Sequence, residues 1–515
     1  MKIAMCHYHL NRGGVNQVIA NHVSALESVA SHSPVEQIAI LYGGRREGWS
    51  LEKPSRLRLS LVEVDGLDYD ASRVRCRALA DQFRATLGRL GFLPTETVVH
   101  VHNHALGKNV SLPGALAELA GDGFGLLLQI HDFAEDFRPE NYRALTAALA
   151  PHQPALPPDQ LYPQGGRLHY AVLNRRDHGV LRHAGVVPDR LHLLPNPVTE
   201  PRTLPDRQEV RRKLSRKLGI APNERLLVYP VRGIRRKNLG EALFWAALAQ
   251  DRTRVAITLA PLNPVEQPGY RRWRDFAATT GLPCEFEFGV NSGLSFPEVQ
   301  SAADRILTTS VAEGFGMVFL ETWLVQRILI GRDLPEITAD FVESGLQLAN
   351  LRARVPVPID WVGKVAFQRE LETGFSDVLR AYQQRIPAAA QLHSSAETLM
   401  DDGWVDFGVL TSPLQQKVIE RVLSDSHARD RLSERNAWIA GSLELRAVDE
   451  AVLMQNKAAV RIHYSLARSG ERLVDIYQCV LASSGDGPVS ALPGADGILS
   501  GFLDISRFHP IRTER

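Results

Sequence analysis

Two series of short apolar runs alternating with helical patterns, split by a proline-rich stretch, confine this chain to one broad architecture. KIAMCHYHL leads through NRGG into VNQVIANHVSALESVA, whose apolar residues recur at helical spacing. QIAILYGG, ETVVHVHNHAL, GLLLQIHDF and LHYAVLN continue the strands, with helical patterns such as CRALADQFRATLGRL between them. Strands alternating with helices predict a parallel, doubly wound sheet.

LPNPVTEPRTLPDRQ (194–208) then interrupts the pattern. Proline removes backbone donors and resists both helix and central strand, so this stretch reads as a linker, centred on 199–207. A second series follows: RLLVYPV, VAITLAP, CEFEFGV, RILTTS and RILIGRDLPEI. The expected organisation is an N-terminal Rossmann-like domain over 1–198, completed by about 463–483, and a second over 208–462. Residues 342–410 are less regular and read as an insertion; 484–515 read as a loop-like tail. A chain of 515 residues is too long for one core, in keeping with two or three domains. Two such domains would face a central cleft, with ligand at the carboxyl ends of the strands.

Composition excludes some functions. A net charge of +1 argues against a nucleic-acid binder, which carries a basic stripe. Four cysteines without a CxxC pair read as free thiols in a reducing compartment. The opening MKIAMCHYHLNRGG does not read as a signal peptide, because His7 and His9 break its apolar run. No apolar run approaches the roughly 20 residues that span a bilayer. The expectation is a cytoplasmic protein. VRRKLSRKLG (210–219) reads as an amphipathic surface helix, with peripheral contact to anionic lipid as its other use.

The chemistry is suggested by TTSVAEGFGMVFLET (308–322), where Glu313 and Glu321 stand eight residues apart around Gly314, Phe315 and Gly316. RILTTS is a buried strand, EGFG a turn and MVFLETWLV a helix. Glycines let a ligand approach the backbone, and a helix N-terminus suits phosphate. A carboxylate accepts two hydrogen bonds, so Glu321 suits the hydroxyls of a ribose and Glu313 those of a sugar. An ordinary strand–turn–helix with surface glutamates is the bland alternative. In VYPVRGIRRKNLGEAL, Arg232 and Lys237 follow a buried strand and would neutralise a diphosphate leaving group, with Arg235 and Arg236 as alternates. Gly13 and Gly14 end the first strand and open the first helix, where a phosphate or sugar would come close to the backbone.

These pieces together resemble the family-4 retaining glycosyltransferases of the GT-B fold. The match comprises the N-terminal strand with Gly13 and Gly14, the QIHDF strand end, LPNPV, Arg232 five residues before Lys237, and the E-x7-E of Glu313 and Glu321. It also takes in RDLPEI and ERLVDIYQCVL, and so spans roughly 1–340 and 460–482. The resemblance implies a metal-independent hexosyltransferase with a nucleotide-diphospho-sugar donor and no cofactor. Arg232 and Lys237 would bind the diphosphate and Glu321 the ribose. Glu313 and the Gly314–Gly316 backbone would hold the sugar, and Gly13 and Gly14 would approach the phosphate. His131 would sit at the reaction centre, and Val290 and Asn291 near the base. The C-terminal helix would cross back to the N-domain. The donor phosphate would take the acceptor proton on the face of departure.

The sequence also departs from that family: 134–168, 342–460 and the tail have no clear counterpart. On the N-domain side His102, Lys108, Asn109, Asp132 and Arg138 are candidate acceptor-binding residues, and Lys108 and Arg138 suggest an anionic acceptor. His100, His102 and His104 alternate and would share a strand face. A metal-dependent hydrolase using His7, His9 and His102 is the competing class, and a glycosidic phosphorylase, often carrying pyridoxal phosphate, is a third reading.

Overall fold

The computed structural model describes residues 1–51, 54–70, 75–149, 161–249, 252–444, 448–484 and 489–514. Parts of the long 134–168 stretch and of the tail therefore lie outside the described residues. The chain forms two compact units: Met1–Thr199 with Ile462–Asp504, and Glu200–Arg461 with Ile505–Arg515.

In the first unit, strands β1 (Lys2–His7), β2 (Gln37–Tyr42), β3 (Arg58–Glu63), β4 (Thr97–His102) and β5 (Gly125–Ile130) belong to a seven-stranded sheet. A short β6 (Pro163–Gln164) lies outside it, and β7 (Leu168–Val172) and β8 (Leu191–Leu193) complete it. The order is β3-β2-β1-β4-β5-β7-β8, and each pairing is parallel. Period-two alternation is visible on β1. Ile3 and Met5 enter one core, Ala4 and Cys6 the other.

The helix Gly14–Ser28 packs beside the helix Leu466–Ala482, which arrives from the far end of the sequence. Leu473, Tyr477 and Val480 join Ile19, Val23 and Leu26 in one core. Each such aliphatic side chain contributes roughly 1.5–3 kcal/mol when buried. The helices meet at Gly470, where a Cβ would stand 2.3 Å from the carbonyl oxygen of Ala25.

In the second unit, β9 (Arg225–Arg232), β10 (Thr253–Leu259), β11 (Cys284–Glu285), β12 (Arg305–Thr308), β13 (Leu329–Arg332) and β14 (Leu351–Arg352) form a parallel sheet ordered β11-β10-β9-β12-β13-β14. CEFEFGV is a strand for two residues only. The chain turns left-handed at Glu287 and enters a short helix, Phe288–Ser292.

The region read as irregular has its own order. β15 (Pro356–Pro358), β16 (Met400–Asp401) and β17 (Trp404–Asp406) form an antiparallel sheet, and Lys364–Ala381 is a long helix. Buried Arg332 pins this sheet to the main one, donating to Glu241 at 2.6 and 2.9 Å and to Asp406 at 2.9 Å.

The tail is not merely a loop. β18 (Ser490–Ala491) pairs with β6, Asp496–Ser500 is helical, and Ile505 onward belongs to the second unit. The basic helix Arg207–Leu218 buries Val210 and Leu214 within its unit, which fits a surface helix rather than a lipid anchor. No described helix is long and apolar enough to cross a membrane.

Candidate active site

The E-x7-E stretch and the basic loop come together at the carboxyl ends of β9 and β12. After β9 the chain makes a short 3-10 turn, Arg235–Lys237, and passes left-handed through Asn238 into the helix Leu239–Leu248. Residues beyond β12 hold this turn in place. Thr309 donates to the carbonyls of Lys237 (2.9 Å) and Asn238 (3.1 Å), and the Val311 amide to that of Arg236 (2.9 Å). The Tyr229 hydroxyl, buried on β9, donates to the Lys237 carbonyl and lies 2.9 Å from the Ser310 hydroxyl.

Glu313 is buried and accepts from Lys237 Nζ and, at 3.1 Å, from Arg236. Burial alone would push its carboxyl up; Lys237 and Arg236 outweigh that and hold it down at about 2. Arg236, an alternate on sequence grounds, is thus a working member of the cluster. Arg235 is not: its guanidinium clasps Glu266 at 3.2 Å and reaches the Glu514 carbonyl. Arg232 ends β9, half-buried.

Gly316 has φ +82°, a left-handed value, and a Cβ there would meet the Phe319 ring at 2.5 Å. This turn starts the helix Val318–Leu324. Phe315 points inward against Phe341. Glu321 is on the helix's first turn. Burial pushes its carboxyl up to about 7. Among the described residues no ion pair or side-chain hydrogen bond engages it. Two glutamates of one motif thus have opposite electrostatics, one neutralised by cations and one desolvated and open. The helix has seven residues, so its dipole offers little to a phosphate. Val290 is 66% exposed, while the Asn291 amide donates to the Phe286 carbonyl and braces its own turn.

In the first unit, Gly13 and Gly14 are exposed at the start of the first helix. Gly13 is extended, and a Cβ on Gly14 would meet nothing within 4 Å. The chain's own packing therefore does not demand glycine at Gly14.

His131 follows β5. Its backbone amide donates to Asn103 Oδ1 at 2.7 Å, and its ring is 2.9 Å from His102 Nδ1. Burial pushes His131 down to about 4, so it is neutral and a weak base. The three alternating histidines do not share a face. Asn103, at φ +60°, breaks the strand after His102 and sends His104 towards the Leu161 carbonyl. His100 and His102 instead stack beside His22, which sequence reasoning missed because it lies on a helix.

His9 turns to the Tyr69 hydroxyl at 3.1 Å, and His7 hydrogen-bonds the His102 carbonyl, so the proposed trio does not assemble as metal ligands. Among the described residues the group able to share an ion is His22, His100 and His102. Both His100 nitrogens are already engaged, by Tyr477 and Gln129.

The acceptor candidates separate. Asn109 is fully buried and structural: its amide donates to the Gly66 and Asp68 carbonyls, and its oxygen accepts from the Ser111 and Leu112 amides. Asp132 is paired with Arg138 at 2.6 Å. Lys108 lies over the Tyr69 ring, 5.5 Å from its centre.

Known proteins bear on this arrangement. No family model matches the chain. It is 26% identical over 347 residues to mannosylglucosyl-3-phosphoglycerate synthase of Petrotoga mobilis. The match spans 65% of this chain and 65% of that relative. Sucrose-phosphate synthase of Thermosynechococcus elongatus superposes with a TM-score of 0.51 at 14% identity, over 93% of this chain and 98% of that one. The fold is GT-B. A glycosyltransferase from Rickettsia africae superposes similarly, with a TM-score of 0.50 at 11% identity, over 93% of this chain and 98% of that one. In GT-B terms, the Glu313–Glu321 stretch and the Arg235–Lys237 turn belong to the second of the two Rossmann-like units.

Proposed function

We propose that this chain is a retaining hexosyltransferase of the family-4 type, moving a sugar from a nucleotide-diphospho-sugar to an acceptor hydroxyl. The observation that carries the reading is the split electrostatics of the E-x7-E pair. Glu321, desolvated and open, suits two ribose hydroxyls. Glu313, clamped by Arg236 and Lys237, suits a sugar hydroxyl at its edge. Arg236 and Lys237, with Arg232 at the strand end, would offset the charge of a departing diphosphate, so the proposal requires neither metal nor cofactor.

In the reaction the acceptor oxygen bonds to the anomeric carbon as the carbon–oxygen bond to the diphosphate breaks. The acceptor proton passes to the departing phosphate oxygen on the same face. Three features of the first unit support this course over a protein base. Asp132 is tied to Arg138, and Glu135 is buried under the Tyr162 hydroxyl. His131, held down at about 4, is poorly suited to accept a proton. The curated relative's name specifies a phosphoglycerate-bearing glycoside, which supports a hydroxylated, anionic acceptor here. All four cysteines are free thiols, in keeping with a cytoplasmic enzyme.

Thermal shifts with UDP, GDP, ADP, TDP and CDP, with and without EDTA, test the donor half. A ligand at 100 times its dissociation constant stabilises by about 2.7 kcal/mol. The expected result is one clear hit that survives EDTA and is lost in Arg236→Ala. Silence across the panel would overturn the reading. Retention is checked by the anomeric configuration of the product in proton NMR.

A further inference from the structure

Tyr69 stands half-exposed in the first unit, in a turn that the rest of the unit holds rigidly. The Asn109 amide grips the turn through the Gly66 and Asp68 carbonyls. The Asp70 amide donates to the Lys108 carbonyl at 2.9 Å, and Ser111 donates to the Asp70 carboxylate. Around the phenol gather three basic side chains. Lys108 Nζ is 5.5 Å from the ring centre, the Arg45 guanidinium is 5.1 Å from it, and His9 Nε2 is 3.1 Å from the hydroxyl.

Arg45 is neutralised by Asp68 through two hydrogen bonds, at 2.9 and 2.6 Å. Lys108 has no such direct contact. Among the described residues no carboxylate lies within ion-pair distance of it. Burial, and after it the nearby Arg138, push its ammonium down from the usual lysine range, against a smaller upward pull from Glu140. A half-buried cation with no acidic partner in contact is costly to hold. The adjoining Leu106 carbonyl accepts from Asn141 at 2.8 Å, which fixes the backbone of the loop carrying Lys108.

We propose that Lys108 and the Tyr69 hydroxyl, backed by His9, form a binding site for a phosphomonoester or carboxylate, and that this anion is part of the acceptor. Lys108 supplies the charge, the phenol a directional hydrogen bond, and Arg45 and Asp68 hold the ring in place. The anion site stands on the geometry alone; its assignment to the acceptor rests on the transferase reading.

Competitive acetylation with acetic anhydride, read by mass spectrometry of the wild-type chain, tests both parts. At ten times its dissociation constant, glycerol 3-phosphate should protect Lys108 roughly ten-fold, whereas chloride of equal ionic strength should not. Lys417, exposed in the other unit, is the internal control and should be unaffected. Unprotected Lys108 at saturating glycerol 3-phosphate and inorganic phosphate would overturn the site. Equal protection by inorganic phosphate would mark a free-phosphate site and overturn the acceptor assignment. A parallel arm measures Lys237 with the nucleoside diphosphates. If Lys237 stays unprotected while Lys108 is protected, the transferase reading fails and the anion site stands. A variant supplies a second line: phosphate-dependent thermal stabilisation should vanish in Lys108→Met and persist in Lys108→Arg, and its survival in Lys108→Met would also overturn the site.

Discussion

Glu313 and Glu321 are chemically identical and eight residues apart, yet they respond oppositely to substitution. Glu313 lies buried against two cations, so Glu313→Gln weakens a buried charge cluster and should cost about 3 kcal/mol, seen as a lower urea midpoint. Its carboxyl is held down at about 2, so the stability it contributes is present above the ordinary glutamate range and is lost as pH falls towards 2. Glu321 has the reverse sign. With a folded value of about 7, its charged form is penalised above pH 7, and the penalty vanishes as pH falls towards 4.5. Glu321→Gln should therefore raise the melting temperature more at about pH 8 than at about pH 5, while weakening nucleotide binding roughly ten-fold or more. A glutamine that stabilises equally at both pH values, or leaves binding intact, would contradict the assignment. The spacing of the pair was legible as a motif. The choice of Arg236 over Arg235 was not, because adjacent residues on a tight turn point apart and only the strand partner decides which faces Glu313.

Elements were legible where they were long and periodic. β1, β2, β4, β5 and β7 of the first sheet and the helix Leu466–Ala482 follow directly from apolar spacing, whereas the edge strands β3, which is only partly buried, and β8 do not. The other failures are short. A two-residue strand such as β11 or β16 has no period to detect, and Asn103 ends the histidine alternation through its own backbone conformation. The returning helix makes a prediction at this scale. Gly470→Ala would place a methyl 2.3 Å from the Ala25 carbonyl oxygen, and the two helices would have to part. The expected cost is about 1–3 kcal/mol, measured by urea unfolding. An unchanged midpoint would mean that the helices separate freely.

At the scale of the whole molecule, the two units differ in their buried charge chemistry. The first unit buries His7, His22, His100, His102, His104 and His131, each pushed down chiefly by burial. Such groups take up protons in the unfolded chain before the folded one. Their contribution is intact above about pH 6.5 and is lost as pH falls towards the folded values. Glu135, pushed up to about 7, works in the other direction but is outnumbered. Acidification from about pH 7 to pH 5 should thus loosen the first unit selectively. Hydrogen exchange, corrected for the intrinsic pH dependence, should show protection lost in β4 and β5 before β9 and β12. Simultaneous loss in both units would count against this.

The sequence by itself determined the alternation of strands and helices, the break into two Rossmann-like series and the placing of glycines and glutamates around one turn. Those features depend on backbone geometry over a few residues, and periodicity records it. Only the tertiary structure decided that Asn109 braces a turn, that His22 joins the histidine stack, that Arg236 reaches Glu313, and that Lys108 has no carboxylate in ion-pair contact among the described residues. Each depends on which segments, tens of residues apart, the sheet order brings side by side, and no local spacing records that order.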